Sequence, residues 1–205
     1  WAAWLGDPIG GRDSIYSPVF SKSTDCGQTW SAAMEVNINA IAWIRDSLQS
    51  LWTDSIGNPA SDGNASCGFD FDLTVDNLGN PHMAVVICTG RDYSVSSAFA
   101  KFLADVTTPN GGATWEADYI SPILTFRTQE FGTATTVTMD NQVQIARDEG
   151  GCNLFFSWAD SDTALLTGNG NGIGFGESAN LAPNLRISAK NVASGMKTYP
   201  QLISD

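Results

Sequence analysis

Residues 23–30 of this 205-residue chain read Ser-Thr-Asp-Cys-Gly-Gln-Thr-Trp, and this stretch decides the fold. Gly27 tolerates the positive φ that a tight hairpin turn requires. The Asp25 carboxylate can accept hydrogen bonds from backbone N–H groups of the turn, as in Asx turns. Ser23 and Thr29 can close the two sides of the turn, and Trp30 can pack its indole beneath it. The stretch therefore predicts a rigid turn between two antiparallel strands.

A second copy of this pattern occurs at residues 108–115, which read Thr-Pro-Asn-Gly-Gly-Ala-Thr-Trp. Its matching residues are Thr108, Asn110, Gly112, Thr114 and Trp115. Thr stands for the Ser and Asn stands for the Asp, so we expect this turn to be looser. Both copies follow an apolar strand and precede an acidic, strand-like run, which indicates that a whole structural unit repeats.

The two stretches resemble the Asp-box, or BNR repeat, of sialidases and related β-propeller proteins. We call residues 23–30 the first box and residues 108–115 the second box. The resemblance implies four-stranded antiparallel blades with the box between the third and fourth strands. It also implies boxes at the periphery of the propeller, so that Asp25 and Asn110 are turn residues rather than catalytic or calcium-binding ones. Residues 184–195 lack a box and resemble the plainer blades of large exported bacterial surface proteins.

The strand pattern agrees with a repeat. Residues 69–75 alternate apolar and polar, residues 77–81 carry turn chemistry, and residues 82–88 are apolar on both faces, which predicts a hairpin with a central strand. The same strand–turn–strand pattern recurs at residues 142–158, with Arg147 in the place of Asp76. Residues 1–5 look like a third copy of the central strand.

We therefore expect an all-β fold made of β-propeller blades, an incomplete propeller of two to three blades. The whole chain, 1–205, would be part of a single propeller domain, with blades at approximately 1–60, 61–130 and 131–205. Because the chain starts in mid-strand, we expect it to be a piece of a longer protein. Residues 40–52 have helical spacing of apolar residues and predict a short inserted helix, which Asn37 or Asn39 would cap.

Composition excludes some classes of partner. Acidic residues outnumber basic ones by 22 to 10, and the net charge is −12, so a nucleic-acid backbone would be repelled. No run approaches the ~20 apolar residues that a membrane-spanning helix needs. An acidic, lysine-poor surface together with the resemblance predicts a secreted or cell-surface protein.

The four cysteines, Cys26, Cys67, Cys88 and Cys152, match no zinc or redox spacing. Two disulfides in any of three pairings are open. Cys26 and Cys67 both lie in turn-like sequence and are our first pairing, whereas Cys88 in its apolar run reads as a buried thiol.

Candidate ligand-binding residues come from what a sialidase needs. Such an enzyme clasps a carboxylate with arginines and uses a tyrosine nucleophile with acidic partners. Arg12 and Arg91 each follow a central strand, with Tyr16 and Tyr93 nearby, and we take these four as tentative ligand-binding residues. Arginine beside aspartate is also the ordinary pattern of a surface ion pair.

Other polar and aromatic residues have structural readings. His82, the single histidine, reads as structural or surface-exposed. Asp70, Asp72 and Asp76 on one strand, and Asp160 and Asp162 on a loop, could hold Ca²⁺, but they fit a solvated face and turn caps better, so no metal or cofactor is assigned. Trp43 and Trp52 fit core packing or a sugar-stacking platform.

The function expected from these observations is a non-catalytic secreted or cell-surface propeller module that binds a glycan or a protein or serves in structural assembly. No catalytic residue is assigned. The alternative is an exo-glycosidase of the sialidase type acting on sialylated glycans. A third class is a subunit whose open strands and blades are completed by neighbours or by further blades.

Overall fold

A computed structural model describes residues 1–6, 15–51, 64–91, 94–96, 101–123, 141–161 and 183–203. Every strand pairing in it is antiparallel, which confirms the all-β expectation. The strands form three sheets that follow one another along the chain.

The first sheet has the order β1-β2-β3 and consists of β1 (Ala2–Gly6), β2 (Ser17–Ser21) and β3 (Met34–Glu35). The second sheet has the order β4-β5-β7-β8, with β6 paired to β5. Its strands are β4 (Asn64–Val75), β5 (Pro81–Arg91), β6 (Ser94–Ser96), β7 (Lys101–Thr107) and β8 (Glu116–Ile123). The third sheet has the order β12-β11-β10-β9 and consists of β9 (Gln144–Arg147), β10 (Asn153–Ser161), β11 (Pro183–Asn191) and β12 (Gln201–Leu202).

The hairpin predicted at residues 69–88 is confirmed as β4 and β5. β4 begins earlier than expected, at Asn64, because a β-bulge between Cys67 and Phe71 lets the strand continue pairing beyond the alternating run.

The central strand β5 is buried on both faces, as the continuous apolar run predicted. Met83, Val85 and Ile87 pack in a core shared with the first sheet. Ala84, Val86 and Cys88 pack in a second core, shared with the third sheet. The second sheet therefore lies between the other two.

The central strand of the third sheet, β10, is not buried on both faces as expected. Leu154, Phe156 and Trp158 of β10 are fully buried against the second sheet. Phe155, on the opposite face, remains 39% exposed. Among the described residues β10 is thus buried from one side, whereas its sequence predicted burial from both.

The inserted helix is confirmed as α1 (Ala42–Leu51), preceded by the 3-10 turn η1 (Ile38–Ala40). Ile44 and Leu48 bury its apolar face in the first core. Asn37 makes no side-chain capping hydrogen bond at η1. Asn39 instead exchanges two hydrogen bonds with the backbone of Ala65, at 2.7 and 3.1 Å, and so fastens η1 to the start of β4. No helix among the described residues combines the length and apolar character that crossing a bilayer requires.

Candidate functional site

The first box connects β2 to β3 through a closed set of hydrogen bonds. Thr29 donates its backbone N–H to Asp25 Oδ1 at 2.9 Å and its hydroxyl to Asp25 Oδ2 at 2.5 Å. Ser23 donates its hydroxyl to Asp25 Oδ1 and accepts the N–H of Gly27, both at 2.8 Å. Gly27 has φ +87°, as the turn requires. Hydrogen bonds from Thr29, first from its hydroxyl, lower the pKa of Asp25 to about 2.

The second box connects β7 to β8 with the same pattern. Thr114 donates its N–H to Asn110 Oδ1, and Gly112 donates its N–H to Thr108 Oγ1, both at 2.8 Å. Asn110 also donates its amide N–H to the Thr114 hydroxyl at 2.8 Å, which replaces the bond that the carboxylate accepts in the first box. The second box therefore keeps the closed pattern of the first, because the amide of Asn110 satisfies both groups of Thr114. The bond from the Thr108 hydroxyl to Asn110 Oδ1 is longer than its counterpart in the first box, at 3.1 Å against 2.8 Å.

The two box tryptophans lie in different surroundings. Trp115 packs against the first core and stacks on Phe20 of the first sheet, with ring centroids 4.5 Å apart and planes at 28°. Trp30 is 49% exposed, although its ring reaches the side of the turn at Gly27. The expected packing of the Trp30 indole against its turn is therefore present at Gly27, but about half of the side chain remains exposed.

A third turn, residues 191–195 with its flanking strands, repeats the hairpin geometry without a box. Ser188 donates its hydroxyl to Thr198 O at 3.0 Å, and Ala189 donates its N–H to Thr198 Oγ1 at 2.9 Å. The first sheet has the same two bonds across ten residues: Ser21 donates its hydroxyl to Ser31 O at 2.9 Å, and Lys22 donates its N–H to Ser31 Oγ at 3.0 Å. Sequence reasoning missed this pair, and its signal is the shared ten-residue spacing between hydroxyl residues that flank the turn.

Two Asx turns lie at the ends of strands that neighbour the second box and the third turn. Asp76 accepts the N–H groups of Leu78 and Asn80, both at 2.8 Å. Asp148 accepts the N–H groups of Cys152 and Asn153 at 2.8 and 3.1 Å. The structure therefore matches Asp76 with Asp148, and the expected match with Arg147 is wrong by one position.

A buried ion network joins the second and third sheets. Asp105 of β7 is fully buried, contacts His82 Nδ1 at 2.9 and 3.0 Å, and accepts a hydrogen bond from Lys190 Nζ of β11 at 2.7 Å. Lys190 also pairs with Asp118 of β8, and His82 Nε2 lies 3.5 Å from Asp76. His82 thus has the structural role expected, in the interior rather than at the surface.

In this network, burial disfavours the charged forms of the side chains, whereas hydrogen bonds and ion pairs favour them. Burial raises the pKa of Asp105, but hydrogen bonds from His82 and the charge of Lys190 outweigh it, so this pKa lies below its usual range. Burial lowers the pKa of Lys190, but Asp105 and Asp118 outweigh it, so this pKa lies above its usual range. Both side chains are therefore held in their charged forms.

A second lysine, Lys101, is buried at the other end of the same interface. Burial lowers its pKa, and the neighbouring Cys88 and Asp160 oppose that shift. Asp160 was expected on a loop but lies in β10 and is 1% exposed. Each of these two sheets thus buries one lysine near an aspartate of the other.

The other expected acidic groups also have structural partners. Asp70 Oδ2 accepts the N–H of Val143 at 2.7 Å, and Asp72 Oδ2 accepts the N–H of Ile145 at 3.0 Å. The expected solvated face is therefore wrong for these two residues, which bridge β4 to the third sheet. Within the described ranges, no group of three or more His, Cys, Asp or Glu side chains is arranged to hold a metal ion. Asp162 lies outside the described residues.

The structure gives little on the tentative ligand-binding residues. Arg12 and Tyr93 lie outside the described residues, and Arg91 is described only as the last backbone position of β5. Tyr16 is half-buried, packs against the first core and donates its N–H to Ser66 Oγ at 3.0 Å.

A groove of about 530 Å³ runs beside the second box, between the helical segment and β8. Its lining includes Glu35, Asn37, Ile41, Trp43, Trp115 and Glu116. Trp43 donates its indole N–H to Ala117 O at 2.8 Å and packs against Phe102 and Tyr119. Trp43 therefore has a core-packing role while one part of it borders the groove. Trp52 lies outside the described residues.

The cysteines are all free thiols. Cys26 is exposed in the first box, whereas Cys67 is buried in β4, so the expected pair is wrong. Cys67 and Cys88 lie on neighbouring strands but belong to cores on opposite faces of the second sheet. Burial raises the pKa of Cys88 to about 12, in agreement with a buried thiol.

No family model matches the chain. No curated protein matches it.

Proposed function

We propose that this chain forms blades of a β-propeller of the Asp-box, sialidase-like kind and acts as a non-catalytic secreted or cell-surface module that binds a glycan or a protein. The observation that carries the fold is the equivalence of the three sheets. Both boxes connect the last two strands of their sheets, β2 to β3 and β7 to β8, and the third turn repeats the flanking hydrogen bonds of the first box. Stacking of the middle sheet between two others supports a radial repeat.

A structural role for the boxes supports a non-catalytic module. Both carboxylate oxygens of Asp25 are engaged by Ser23 and Thr29 within the turn. The corresponding groups of Asn110 are engaged in the same way by Thr108 and Thr114. A group whose hydrogen-bonding capacity is used inside its own turn is a poor acid, base or nucleophile for an external substrate.

The groove beside the second box supports ligand binding. Its volume of about 530 Å³ lies in the range of small-ligand sites. Indole rings of Trp43 and Trp115 give it an apolar wall, and the side chain of Asn37 is exposed at its rim. Aromatic surface with a few polar groups is the composition that orients a sugar or a peptide.

The test is binding of the folded chain to an array of neutral and sialylated glycans, with hydrolysis of 3′-sialyllactose measured in parallel. We expect glycan binding without hydrolysis, and weaker binding in Ala40→Arg, which places a long side chain at the groove. Ala193→Arg, in the exposed third turn, is the matched control and should bind like the wild type. Turnover of 3′-sialyllactose would overturn the non-catalytic role and favour the exo-glycosidase. A blank array would overturn glycan binding.

A further inference from the structure

The third sheet presents an apolar face that the described residues leave uncovered. Register places Phe155, Ala159, Leu185, Ile187 and Ile203 on this face, which we call the open face. Phe155 is 39%, Leu185 41% and Ile203 55% exposed. Neighbouring apolar groups of this kind mark an interaction surface.

The first sheet presents a complementary face, which we call the outward face. Register pairs Trp4 with Val19 on it. Trp30 has the same place in the first box that Trp115 has in the second box, where the indole packs on the preceding sheet. Trp4 is 40% and Trp30 49% exposed. The first sheet therefore leaves two large indoles partly in water.

Equivalent residues elsewhere in the chain show what each face packs against. Ile187 precedes Ser188 as Phe20 precedes Ser21, and these two serines make the same hydrogen bonds across their turns. Phe20 is fully buried because Trp115, the tryptophan of the next box, stacks on it. The position that Ile187 occupies is therefore one that receives a box tryptophan.

Trp4 of the outward face also has an equivalent residue elsewhere in the chain, Trp158. The strand partner of Trp4 is Val19, and the strand partner of Trp158 is Arg186, one residue before Phe20 and Ile187 respectively. Trp158 is fully buried against the second sheet, whereas Trp4 is 40% exposed. A tryptophan at this position thus packs on the sheet in front of it.

We propose that the open face of the third sheet binds the outward face of the first sheet in a second copy of this chain, with Trp30 of one copy over Ile187 of the other. This inference rests on the equivalence of the sheets on which the proposed blades also rest. The contact is heterologous, so repeating it closes a ring or extends a filament. Glu35 is the one charged residue among the register-paired residues of these two faces, so association should persist at high salt.

The first measurement is sedimentation velocity of the wild-type chain across a range of concentrations. We expect the mass to rise with concentration, and Ile187→Lys and Trp30→Lys each to remain monomeric. Leu78→Lys is the matched control, because Leu78 is 75% exposed in a turn outside both faces, and it should associate like the wild type. Circular dichroism and the thermal midpoint establish that each variant is folded, and Ile203→Lys is a second open-face variant.

Mixing the two interface variants gives the decisive result. In Ile187→Lys the outward face is intact, and in Trp30→Lys the open face is intact, so the mixture should form a dimer of one chain of each kind that grows no further. A mixture that stays monomeric, or a wild type that stays monomeric at every concentration, overturns the proposal. A monomer that still binds the glycan array would leave the proposed binding function standing, and a dimer with a blank array would show the reverse.

Discussion

The two interfaces of the second sheet contain different kinds of side chain. Between the first and second sheets lie apolar and aromatic side chains, with Trp115 stacked on Phe20. Between the second and third sheets an apolar centre that includes Leu103, Phe156 and Trp158 is accompanied by a buried ion network. The residue three positions before the box is Phe20 in the first sheet and Asp105 in the second.

This difference follows the loss of the box in the third turn. Counting from the matched hydroxyl pairs, Lys190 stands where the boxes have Ser23 and Thr108. Lys197 stands where they have tryptophan, and its Nζ donates to Tyr119 O at 2.7 Å. With no tryptophan to receive, the facing position carries Asp105, which binds Lys190 instead. Residues on the two sides of the interface therefore differ together.

The largest effect should come from breaking the ion network. Asp105→Asn removes the charge that compensates buried Lys190, and we expect a loss of about 3–5 kcal/mol in the free energy of unfolding, measured by urea denaturation. Asp46→Asn, in an exposed pair with Arg45, should change it by less than about 0.5 kcal/mol. A coupling near zero between Asp105→Asn and Lys190→Met in a double-mutant cycle would contradict the pairing.

The aromatic interface should give the next largest effect. Trp115→Ala removes the ring that stacks on Phe20, and we expect a loss of about 3 kcal/mol. Trp30→Ala, at the equivalent position, should change the unfolding free energy by less than about 0.5 kcal/mol in dilute solution, because its ring is 49% exposed. The free energy of unfolding of each variant is measured by thermal and urea denaturation. Equal losses for Trp115→Ala and Trp30→Ala would contradict the difference in their surroundings.

Substitutions of the turn glycines compare the two boxes at the level of single contacts. Gly27 has φ +87° and Gly112 has φ +101°, so alanine at either position costs about 1–2 kcal/mol of backbone strain. At Gly112 the added Cβ would also overlap Met34 Sδ, whereas at Gly27 its nearest contact is 3.9 Å away. Because the flexible Met34 side chain can shift, we expect Gly112→Ala to lose up to about 1 kcal/mol more than Gly27→Ala. Equal unfolding midpoints for the two variants would exclude the contact with Met34.

Acidification should have the smallest effect, and it should destabilise the first box but not the second. The pKa of Asp25 is lowered from 3.8 to about 2, so its contribution to stability is complete above pH 3.8 and is lost as the pH falls towards 2. Asn110 does not titrate, so the second box should not change over this window. The protection factors of the Gly27 and Thr29 amides, which correct for the intrinsic pH dependence of exchange, should fall on acidification, while those of Gly112 and Thr114 should not. Asp25→Asn should abolish the difference, and its persistence in that variant would refute the assignment.

Local patterns in the sequence were sufficient for several elements. The alternation in residues 69–75 and the two-sided run at 82–88 predicted β4 and β5, and the spacing of Ile44 and Leu48 predicted α1. Both depend on periodicity within one element, which the chain displays directly. The β-bulge after Cys67 was not predicted, because it depends on pairing with β5 rather than on residues 64–68 themselves.

Partners distant in the sequence could not be predicted. Asp105 and Lys190 lie 85 residues apart and belong to different strands, so neither pattern points to the other. Asp70 and Asp72 looked solvated because alternation places them on the polar side of β4, yet that side meets the backbone of the third sheet. The third turn escaped detection because only its flanking hydroxyl residues, and not its loop, match those of the first box.

The bridges from Asp70 and Asp72 also set an order of assembly. Each joins groups 73 residues apart, whereas the hydrogen bonds within a box close over four residues. Short loops close at small entropic cost and long ones later, so the hairpins should form before the sheets dock. As the chain leaves the ribosome, β4 is complete long before residues 143–145 have been synthesised. Until then its two carboxylates remain hydrated, which keeps this edge of the nascent sheet from pairing prematurely with another chain.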